Sequence, residues 1–142
     1  MTLDDANAVC ARTFGGLIGM SFTILEEGHV AARLEVRPEL LAPNGYLHGS
    51  TITGLAETCC GFGTAFSLAP DRRSRFATID LACSFIGTAR DGWIACEATC
   101  PHAGRTTQLW DARIWRESDG RQIALFRLTQ LLLSDGSPAR AG

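Results

Sequence analysis

The sequence predicts an α+β fold in which an antiparallel sheet of about six strands wraps one long central helix. Three observations support this prediction. Residues 50–67 have the length and the apolar spacing of a helix. Two strand-like stretches precede this run and four follow it. The later stretches are separated by short segments rich in Gly, Pro and Asp, as in consecutive hairpins. At 142 residues the chain is expected to be a single domain, 1–142.

The chain is predicted to begin with a short helix over residues 4–14. Asp4 and Asp5 would lie at its N-terminal end, where negative charge suits the helix dipole. Gly15 and Gly16 follow directly and are expected to end the helix.

Six strands are predicted from alternating apolar residues bounded by turn residues. In the second strand Val30, Ala32 and Leu34 alternate with more polar neighbours, so one face should meet the core and the other water. In the third strand, unbroken alternation would place Thr78 and Phe85 on opposite faces. The predicted ranges are 20–26, 30–37, 76–86, 93–99, 106–115 and 122–133. The tail, 134–142, is predicted to be a frayed end.

The predicted central helix carries two stripes of residues at helical spacing. The apolar stripe, which should face the sheet, consists of Ile52, Leu55, Cys59, Phe62 and Phe66. The second stripe consists of Ser50, Gly54, Glu57, Gly61 and Ala65. A glycine inside a helix costs about 1 kcal/mol relative to alanine, so another backbone or a ligand is expected to approach this face. Glu57 would then be a carboxylate in a smooth groove.

Two features of this helix suggest an active site. The first turn, beginning near Gly49, would present backbone N–H groups and a partial positive charge, which stabilise developing negative charge. Glu57, beside apolar and glycine surface, is the best candidate for a general base. His48 could transfer protons, brace the loop or orient Asn44. Asn44 could contact a carbonyl group or a water, or simply form the turn at Gly45.

The spacing of Gly49 and Glu57 favours an assembly of two chains. The two residues are eight positions apart, which is about 12 Å along a helix. An oxyanion donor and a base must both lie within roughly 3 Å of one reacting centre. Two antiparallel copies of the helix would bring Gly49 of one chain opposite Glu57 of the other. A homodimer with shared sites is therefore expected, with a dimer of dimers as its extension.

Composition excludes several other classes of function. A net charge of -2 offers no electrostatic basis for binding nucleic acid. No apolar run reaches the roughly 18 residues of a membrane span, and the N-terminus lacks the basic start of a signal peptide, so a cytoplasmic protein is predicted. The six cysteines show no zinc-ligand spacing, so no metal site is expected.

The motifs resemble those of a known family. Residues 44–51, Asn-Gly-Tyr-Leu-His-Gly-Ser-Thr, together with residues 54–58, Gly-Leu-Ala-Glu-Thr, resemble the signature of hotdog-fold acyl-CoA thioesterases. The nearest branch is the phenylacetyl-CoA thioesterase-like one. Residues 78–81 with Ser84 and Phe85 resemble the strand that follows the helix in that branch. The resemblance covers roughly residues 15–133 and includes the order of the elements.

This resemblance implies hydrolysis of an acyl-CoA thioester without a metal or a separate cofactor, since coenzyme A is part of the substrate. The Gly49 N–H, assisted by Asn44, would polarise the thioester carbonyl, and Glu57 would act as general base or as nucleophile. Thr78 would help to place the water, and His48 would orient the loop. Two departures stand out: the motif reads His-Gly-Ser instead of His-Gly-Gly, and the carboxylate is Glu instead of Asp.

Four arginines in predicted loops are candidates for binding the coenzyme A phosphates. They are Arg72, Arg73, Arg75 and Arg105. Two alternative functions stay open: hydration of an enoyl thioester on the same fold, and non-catalytic binding of an acyl-CoA. The hydratase alternative lacks its usual pairing of His with Asp or Glu in this sequence.

Overall fold

Six antiparallel strands form one sheet that packs against a helix of 19 residues, which confirms the predicted α+β fold class. The structure is a computed structural model that describes residues 1–134, so all of the predicted frayed tail except Ser134 lies outside the described residues. The helices are α1 (Leu3–Cys10), α2 (Phe14–Ile18) and α3 (Gly49–Ser67). The strands are β1 (Met20–Glu26), β2 (His29–Glu35), β3 (Phe76–Phe85), β4 (Trp93–Ala103), β5 (Thr107–Arg116) and β6 (Gln122–Leu132). Short 3-10 turns occupy Pro38–Leu40 and Pro70–Arg72.

The strand order in the sheet is β1-β2-β4-β5-β6-β3, and every neighbouring pair is antiparallel. Strand β3 directly follows α3 along the chain but pairs with the last strand, β6. It therefore forms one edge of the sheet, and β1 forms the other. The chain enters β3 from the C-terminal end of the central helix, so β3 runs beside the helix face that carries Glu57.

The apolar stripe of α3 faces the sheet as predicted. Ile52, Leu55 and Cys59 are buried, and the Phe62 ring packs against Phe22 of β1 with ring centroids 4.6 Å apart. Burying apolar surface on this scale is the main favourable contribution to folding. The same core excludes water from the inner face of the sheet.

The N-terminal region differs from the single helix predicted over residues 4–14. Helix α1 ends at Cys10, and a second helix begins at Phe14, so Gly15 and Gly16 lie inside α2 instead of ending a helix. The Thr13 hydroxyl donates to main-chain carbonyls of α1 and helps to end that helix. A Cβ atom on Gly15 would lie 2.2 Å from Cys10 Sγ, so glycine is required by this close packing.

Strand β4 is longer than predicted because Pro101 does not end it. The strand continues to Ala103, and the register with β5 shifts between Thr99 and His102. Proline has no N–H to donate to a neighbouring strand and is tolerated where the ladder is interrupted. The register shift therefore accommodates a residue that would otherwise break the strand.

Strand β3 contains a bulge, so the predicted unbroken alternation of its side chains is wrong. Its register with β6 shifts between Thr78 and Asp80, so Ile79 has no direct partner. The extra residue reverses the side-chain alternation beyond it. As a result Thr78 and Phe85, which unbroken alternation would place on opposite faces, both contact α3.

Two helix glycines form a matched pair for a stability prediction. A Cβ atom on Gly63 would lie 2.3 Å from Cη2 of the buried Trp110, whereas a Cβ on Gly61 would have no neighbour within 4 Å. We expect Gly63→Ala to lower the free energy of unfolding by about 1–3 kcal/mol through overpacking. Gly61→Ala should raise it by up to about 1 kcal/mol, since alanine favours helix. Urea unfolding of both variants measures this difference, and equal effects would contradict the packing at Trp110.

Candidate active site

The N-terminus of α3 is capped by His48. Its Nδ1 accepts a hydrogen bond from the Ser50 N–H at 3.0 Å, so Nδ1 is unprotonated in this arrangement. The structure thus places His48 as a brace of the helix start. The Gly49 N–H has no hydrogen-bond partner within residues 1–134, as expected for the first residue of a helix.

The loop before α3 is held by hydrogen bonds to its surroundings. The His48 N–H donates to the Leu40 carbonyl at 3.0 Å, and the buried Thr51 hydroxyl donates to the same carbonyl at 3.2 Å. The Leu47 N–H donates to the Ala89 carbonyl at 2.8 Å. Because both sides of Gly49 are anchored, its free N–H keeps a fixed direction, which is what an oxyanion donor requires.

Glu57 is held by the hydroxyl group of Thr78. Thr78 Oγ1 donates to Glu57 Oε1 at 2.9 Å, joining α3 to the edge strand β3. Both side chains are half-buried, and Glu57 forms no ion pair among the described residues. One carboxylate oxygen is thereby oriented by the protein, while no described residue bonds the other.

Two cavities meet at Glu57. The first, which we call the helix-start groove, has a volume of about 570 Å³ and runs from Glu57 to Gly49. Its lining residues are Phe14, His48, Gly49, Ser50, Thr53, Gly54, Glu57 and Phe85. The second, which we call the apolar cavity, has a volume of about 470 Å³ and extends from Glu57 toward the C-terminal end of α3. Apolar residues dominate its lining, chiefly Met1, Val9, Gly61, Phe62, Ala65 and Phe76.

The glycine stripe has two different neighbours. At Gly54 the close neighbour is the ring of Phe14, whose Cε1 would lie 2.7 Å from a Cβ atom. This aromatic side chain is neither the backbone nor the ligand that the sequence predicted, so that prediction is wrong at Gly54. At Gly61 nothing within the described residues fills the space, and the missing side chain leaves the apolar cavity open.

Asn44 stands apart from both cavities. Its Oδ1 accepts a hydrogen bond from the Tyr46 N–H at 3.2 Å, and Gly45 between them has a φ of 82°. Asparagine commonly bonds the backbone two residues ahead in such turns. The sequence left open whether Asn44 contacts a substrate or forms the turn. Within the single chain described by the structure, Asn44 forms the turn. A contact of Asn44 with a thioester carbonyl stays a prediction.

The four arginines lie in segments that meet where β3 begins and β6 ends. Main-chain hydrogen bonds link Leu133 to Arg75 and Leu132 to Thr106, which brings the segments around them together. Arg72 donates to the Leu133 carbonyl at 3.0 Å, and Arg75 donates to the Ser134 carbonyl. These two guanidinium groups thus bind the main chain. Their binding to coenzyme A phosphates stays a prediction.

Arg73 and Arg105 occupy different surroundings. Arg73 lines the apolar cavity together with Glu57, whereas Arg105 is exposed in the turn between β4 and β5. A cation beside an apolar cavity suits a polar end of a bound molecule, and an exposed cation suits a phosphate. For both arginines the role in binding coenzyme A phosphates stays a prediction.

Gln130 is a site residue that the sequence did not reveal. It is fully buried in β6, and its side-chain amide lies 3.2 Å from Thr78 Oγ1. The only signal in the sequence is an amide within a mostly apolar stretch, Leu-Thr-Gln-Leu-Leu-Leu at residues 128–133. Such a residue could equally have faced solvent, because alternation alone does not identify the buried face.

The cysteines offer no reactive thiolate near the site. Cys60 lies on α3 near Glu57, and burial raises the pKa of its thiol well above the ordinary value. A neutral thiol is a poor nucleophile. Within residues 1–134 no group of three or more His, Cys, Asp or Glu side chains is arranged to hold a metal ion. In the same part of the chain, no helix has the length and apolar character needed to cross a membrane.

Comparison with known proteins identifies the family. The thioesterase superfamily profile matches residues 44–123, which include the helix start, Glu57 and Thr78. The chain belongs to the thioesterase superfamily. The match covers more than half of the chain, and the sequence resemblance to hotdog-fold thioesterases is thereby confirmed.

Several proteins named as hydrolases or thioesterases are similar over most of the chain. The 1,4-dihydroxy-2-naphthoyl-CoA hydrolase of Listeria monocytogenes is 29% identical over 102 residues, which are 72% of this chain and 81% of the relative. The proofreading thioesterase EntH of Klebsiella pneumoniae is 28% identical over 133 residues, 94% and 95% of the two chains. A crystal structure of a mutant of thioesterase PA1618 from Pseudomonas aeruginosa superposes with a TM-score of 0.85, at 26% identity and 94% coverage of both chains. Hydrolysis of thioesters is thus the activity common to these relatives, and the hotdog fold is confirmed.

Proposed function

We propose that this thioesterase superfamily member hydrolyses an acyl-CoA thioester to the free carboxylic acid and coenzyme A. The observation that carries the proposal is the hydrogen bond from Thr78 to Glu57, which holds a carboxylate where two substrate-sized cavities meet. A carboxylate fixed beside cavities of this size can act on the reacting carbon of a substrate bound there.

The proposed reaction is addition of water followed by loss of the thiol. Glu57 takes a proton from a water molecule as the water oxygen bonds to the thioester carbonyl carbon. The carbonyl oxygen gains negative charge, which the Gly49 N–H and the positive end of α3 stabilise. The carbon–sulfur bond then breaks, the proton passes from Glu57 to the leaving sulfur, and the carboxylic acid and coenzyme A are released.

The exposed edge of β3 supports a homodimer. Among the described residues strand β3 pairs only with β6. Three large apolar side chains of β3, those of Ile79, Leu81 and Phe85, are strongly exposed, as is the adjacent Ile86. A long apolar edge strand invites pairing with another chain. Pairing with β3 of a second copy would cover these side chains and place the two α3 helices side by side. A dimer of dimers is the further proposed assembly.

In the proposed dimer each site combines two chains. Gly49 and the helix-start groove of one chain would bind the carbonyl oxygen and the sulfur side of the substrate. Glu57 and the apolar cavity of its partner would supply the base and hold the acyl group. This arrangement removes the difficulty that Gly49 and Glu57 of one helix are about 12 Å apart.

A panel of short, medium and aromatic acyl-CoAs, assayed by release of the free thiol, tests the proposed function. We expect turnover of at least one apolar acyl-CoA, with the rate depending on acyl size. Tight binding of acyl-CoA without thiol release would instead support the non-catalytic binding module. Hydration of an enoyl-CoA without hydrolysis would support the alternative reaction. The cytoplasmic location is a prediction that this panel does not address.

Gly61 is expected to determine the size of the acyl group. Its missing side chain leaves space in the apolar cavity, and a leucine there would fill part of the 470 Å³. We expect Gly61→Leu to lower kcat/KM for the largest accepted acyl group by about 10–200-fold, and to change the value for an acetyl or propionyl group little. Gly61→Ala is the graded control and should have a smaller effect of the same kind. Equal losses for all acyl groups would contradict this placement of the acyl group.

A further inference from the structure

Gln130 lies behind Thr78 in the interior of the protein. The two residues are direct cross-strand partners of β6 and β3, and Gln130 has no solvent exposure. Thr78 Oγ1 lies 2.9 Å from Glu57 Oε1 and 3.2 Å from Gln130 Oε1. Three polar side chains thus form a chain that begins in the core and ends at the proposed base.

The hydroxyl group of Thr78 has one hydrogen, and this limits the hydrogen bonds that Gln130, Thr78 and Glu57 can form with one another. With Gln130 Oε1 facing Thr78, both neighbours of the hydroxyl are acceptors, and only one of them can receive the hydrogen. In that orientation Gln130 Nε2 is also buried without a hydrogen-bond partner among the described residues. A buried N–H group without an acceptor is unfavourable.

Turning the amide of Gln130 by 180° gives Thr78 a donor neighbour and gives Nε2 an acceptor, and it leaves Oε1 in the position without a described partner. Amide oxygen and nitrogen exchange places in such a turn, and their positions are assigned from the hydrogen-bond network. Nε2 would then donate to Thr78 Oγ1, and the Thr78 hydrogen would be directed only at Glu57. The hydrogen bonds would then run in one direction, from Gln130 to Thr78 and from Thr78 to Glu57.

We propose that Gln130 is a positioning residue for thioester hydrolysis. By donating to Thr78 it directs the single hydroxyl hydrogen to one oxygen of Glu57, leaving the other oxygen to take the proton from water. Gln130 lines neither the helix-start groove nor the apolar cavity, so it acts only through Thr78. This inference rests on the proposed hydrolysis of acyl-CoA.

Gln108 provides a matched control. It lies directly beside Gln130 as its cross-strand partner in β5, and it is only 4% exposed. Its amide donates to Ser67 Oγ at 2.9 Å and accepts from Trp110 Nε1 at 3.0 Å. It has no hydrogen bond to Thr78 or Glu57 within residues 1–134. Replacing either glutamine removes a buried amide, but only Gln130 is linked to Glu57 through the hydrogen bonds of Thr78.

The test compares Gln130→Met with Gln108→Met, because methionine has nearly the volume of glutamine and no hydrogen-bond donor. For the acyl-CoA that the wild type turns over best, Gln130→Met should lower kcat about tenfold with KM unchanged, the effect of losing one hydrogen bond at the base. Gln108→Met should keep kcat within about twofold, although both variants are expected to lose thermal stability. Equal kcat values for the two variants would overturn the positioning role.

A double-mutant cycle distinguishes positioning from a general loss of structure. If Gln130 acts through Thr78, then Gln130→Met should change kcat little in a Thr78→Val background. Full additivity of the two losses would overturn the inference. Should Gln130→Met not fold, Gln130→Leu replaces it: leucine also occupies the site without a hydrogen-bond donor, so the same fall in kcat is expected, and a wild-type rate would overturn the role. Absence of turnover by the wild type would overturn the proposed function as well, whereas turnover that survives these changes would overturn the positioning role alone.

Discussion

Replacing Glu57 with glutamine should lower kcat for acyl-CoA hydrolysis by about 10³-fold and change KM by no more than a few-fold. Glutamine keeps the size of the side chain and can still accept the hydrogen bond from Thr78, which measures 2.9 Å in the wild type. It cannot take a proton from water. The loss should therefore fall on the chemical step and leave substrate binding intact.

Two controls show whether the loss of activity is specific to Glu57. Thermal unfolding detects a loss of structure, and a second carboxylate variant detects a general effect of removing charge. Glu57 forms no ion pair among the described residues, so the melting temperature of Glu57→Gln should stay within a few degrees of the wild type. Glu39→Gln changes an exposed carboxylate in the turn before α3, and its kcat should match that of the wild type. A Glu57→Gln enzyme with an undiminished rate would contradict the proposed mechanism.

The second large effect is expected from replacing Gly49 with proline. Proline removes the one N–H group that the mechanism assigns to the carbonyl oxygen, and loss of such a donor typically costs about 10²–10³-fold in kcat. The backbone accepts the change, because proline is favoured at the first residue of a helix. The preceding residue, His48, has a ψ of 134°, which lies in the extended region that proline requires of its predecessor.

Gly49→Ala is the matched control for this substitution. A Cβ atom at this position would lie 3.0 Å from Cζ of Phe85, and both alanine and proline carry that atom. Alanine keeps the N–H, so the ratio of kcat between the two variants measures the contribution of the donor alone. Equal rates for Gly49→Ala and Gly49→Pro would contradict an oxyanion role for the Gly49 N–H.

The sequence was sufficient to predict the main architecture. The spacing of Ile52, Leu55 and Cys59 predicted a helix with one buried face, and the turn residues between apolar stretches predicted antiparallel hairpins. These patterns are local, and each is dictated by the geometry of one element. For the same reason the start of α3 near Gly49 and the placement of Glu57 on the stripe of small residues could be predicted.

Features that depend on two distant elements could not be predicted. The bulge at Ile79 is a mismatch between β3 and β6, and no property of β3 alone requires it. The bulge turns Thr78 toward α3, and the register of the same two strands places Gln130 behind it. The helix α2 likewise depends on the close approach of Gly15 to Cys10. Packing overrides local propensity in such cases.

The role of His48 shows a further limit of sequence. A histidine before a helix can transfer protons or cap the helix, and both roles require the same residue at the same position. Only the direction of its ring distinguishes them, and here Nδ1 accepts from the Ser50 N–H. That direction is set by the anchoring of the loop, whose hydrogen-bond partners Leu40 and Ala89 lie outside the motif.

The central claim is that each site combines Gly49 of one chain with Glu57 of its partner, and hybrid dimers test it most directly. Chains carrying Gly49→Pro and Glu57→Gln are produced together with two different affinity tags, and dimers that carry both tags are isolated. Each hybrid would contain one site with both changes and one site with neither, because each site draws on both chains. Hybrids should therefore recover about half of the wild-type kcat per dimer, far above either parent variant. Well-formed hybrids that stay at the low rates of the parent variants would contradict a shared site.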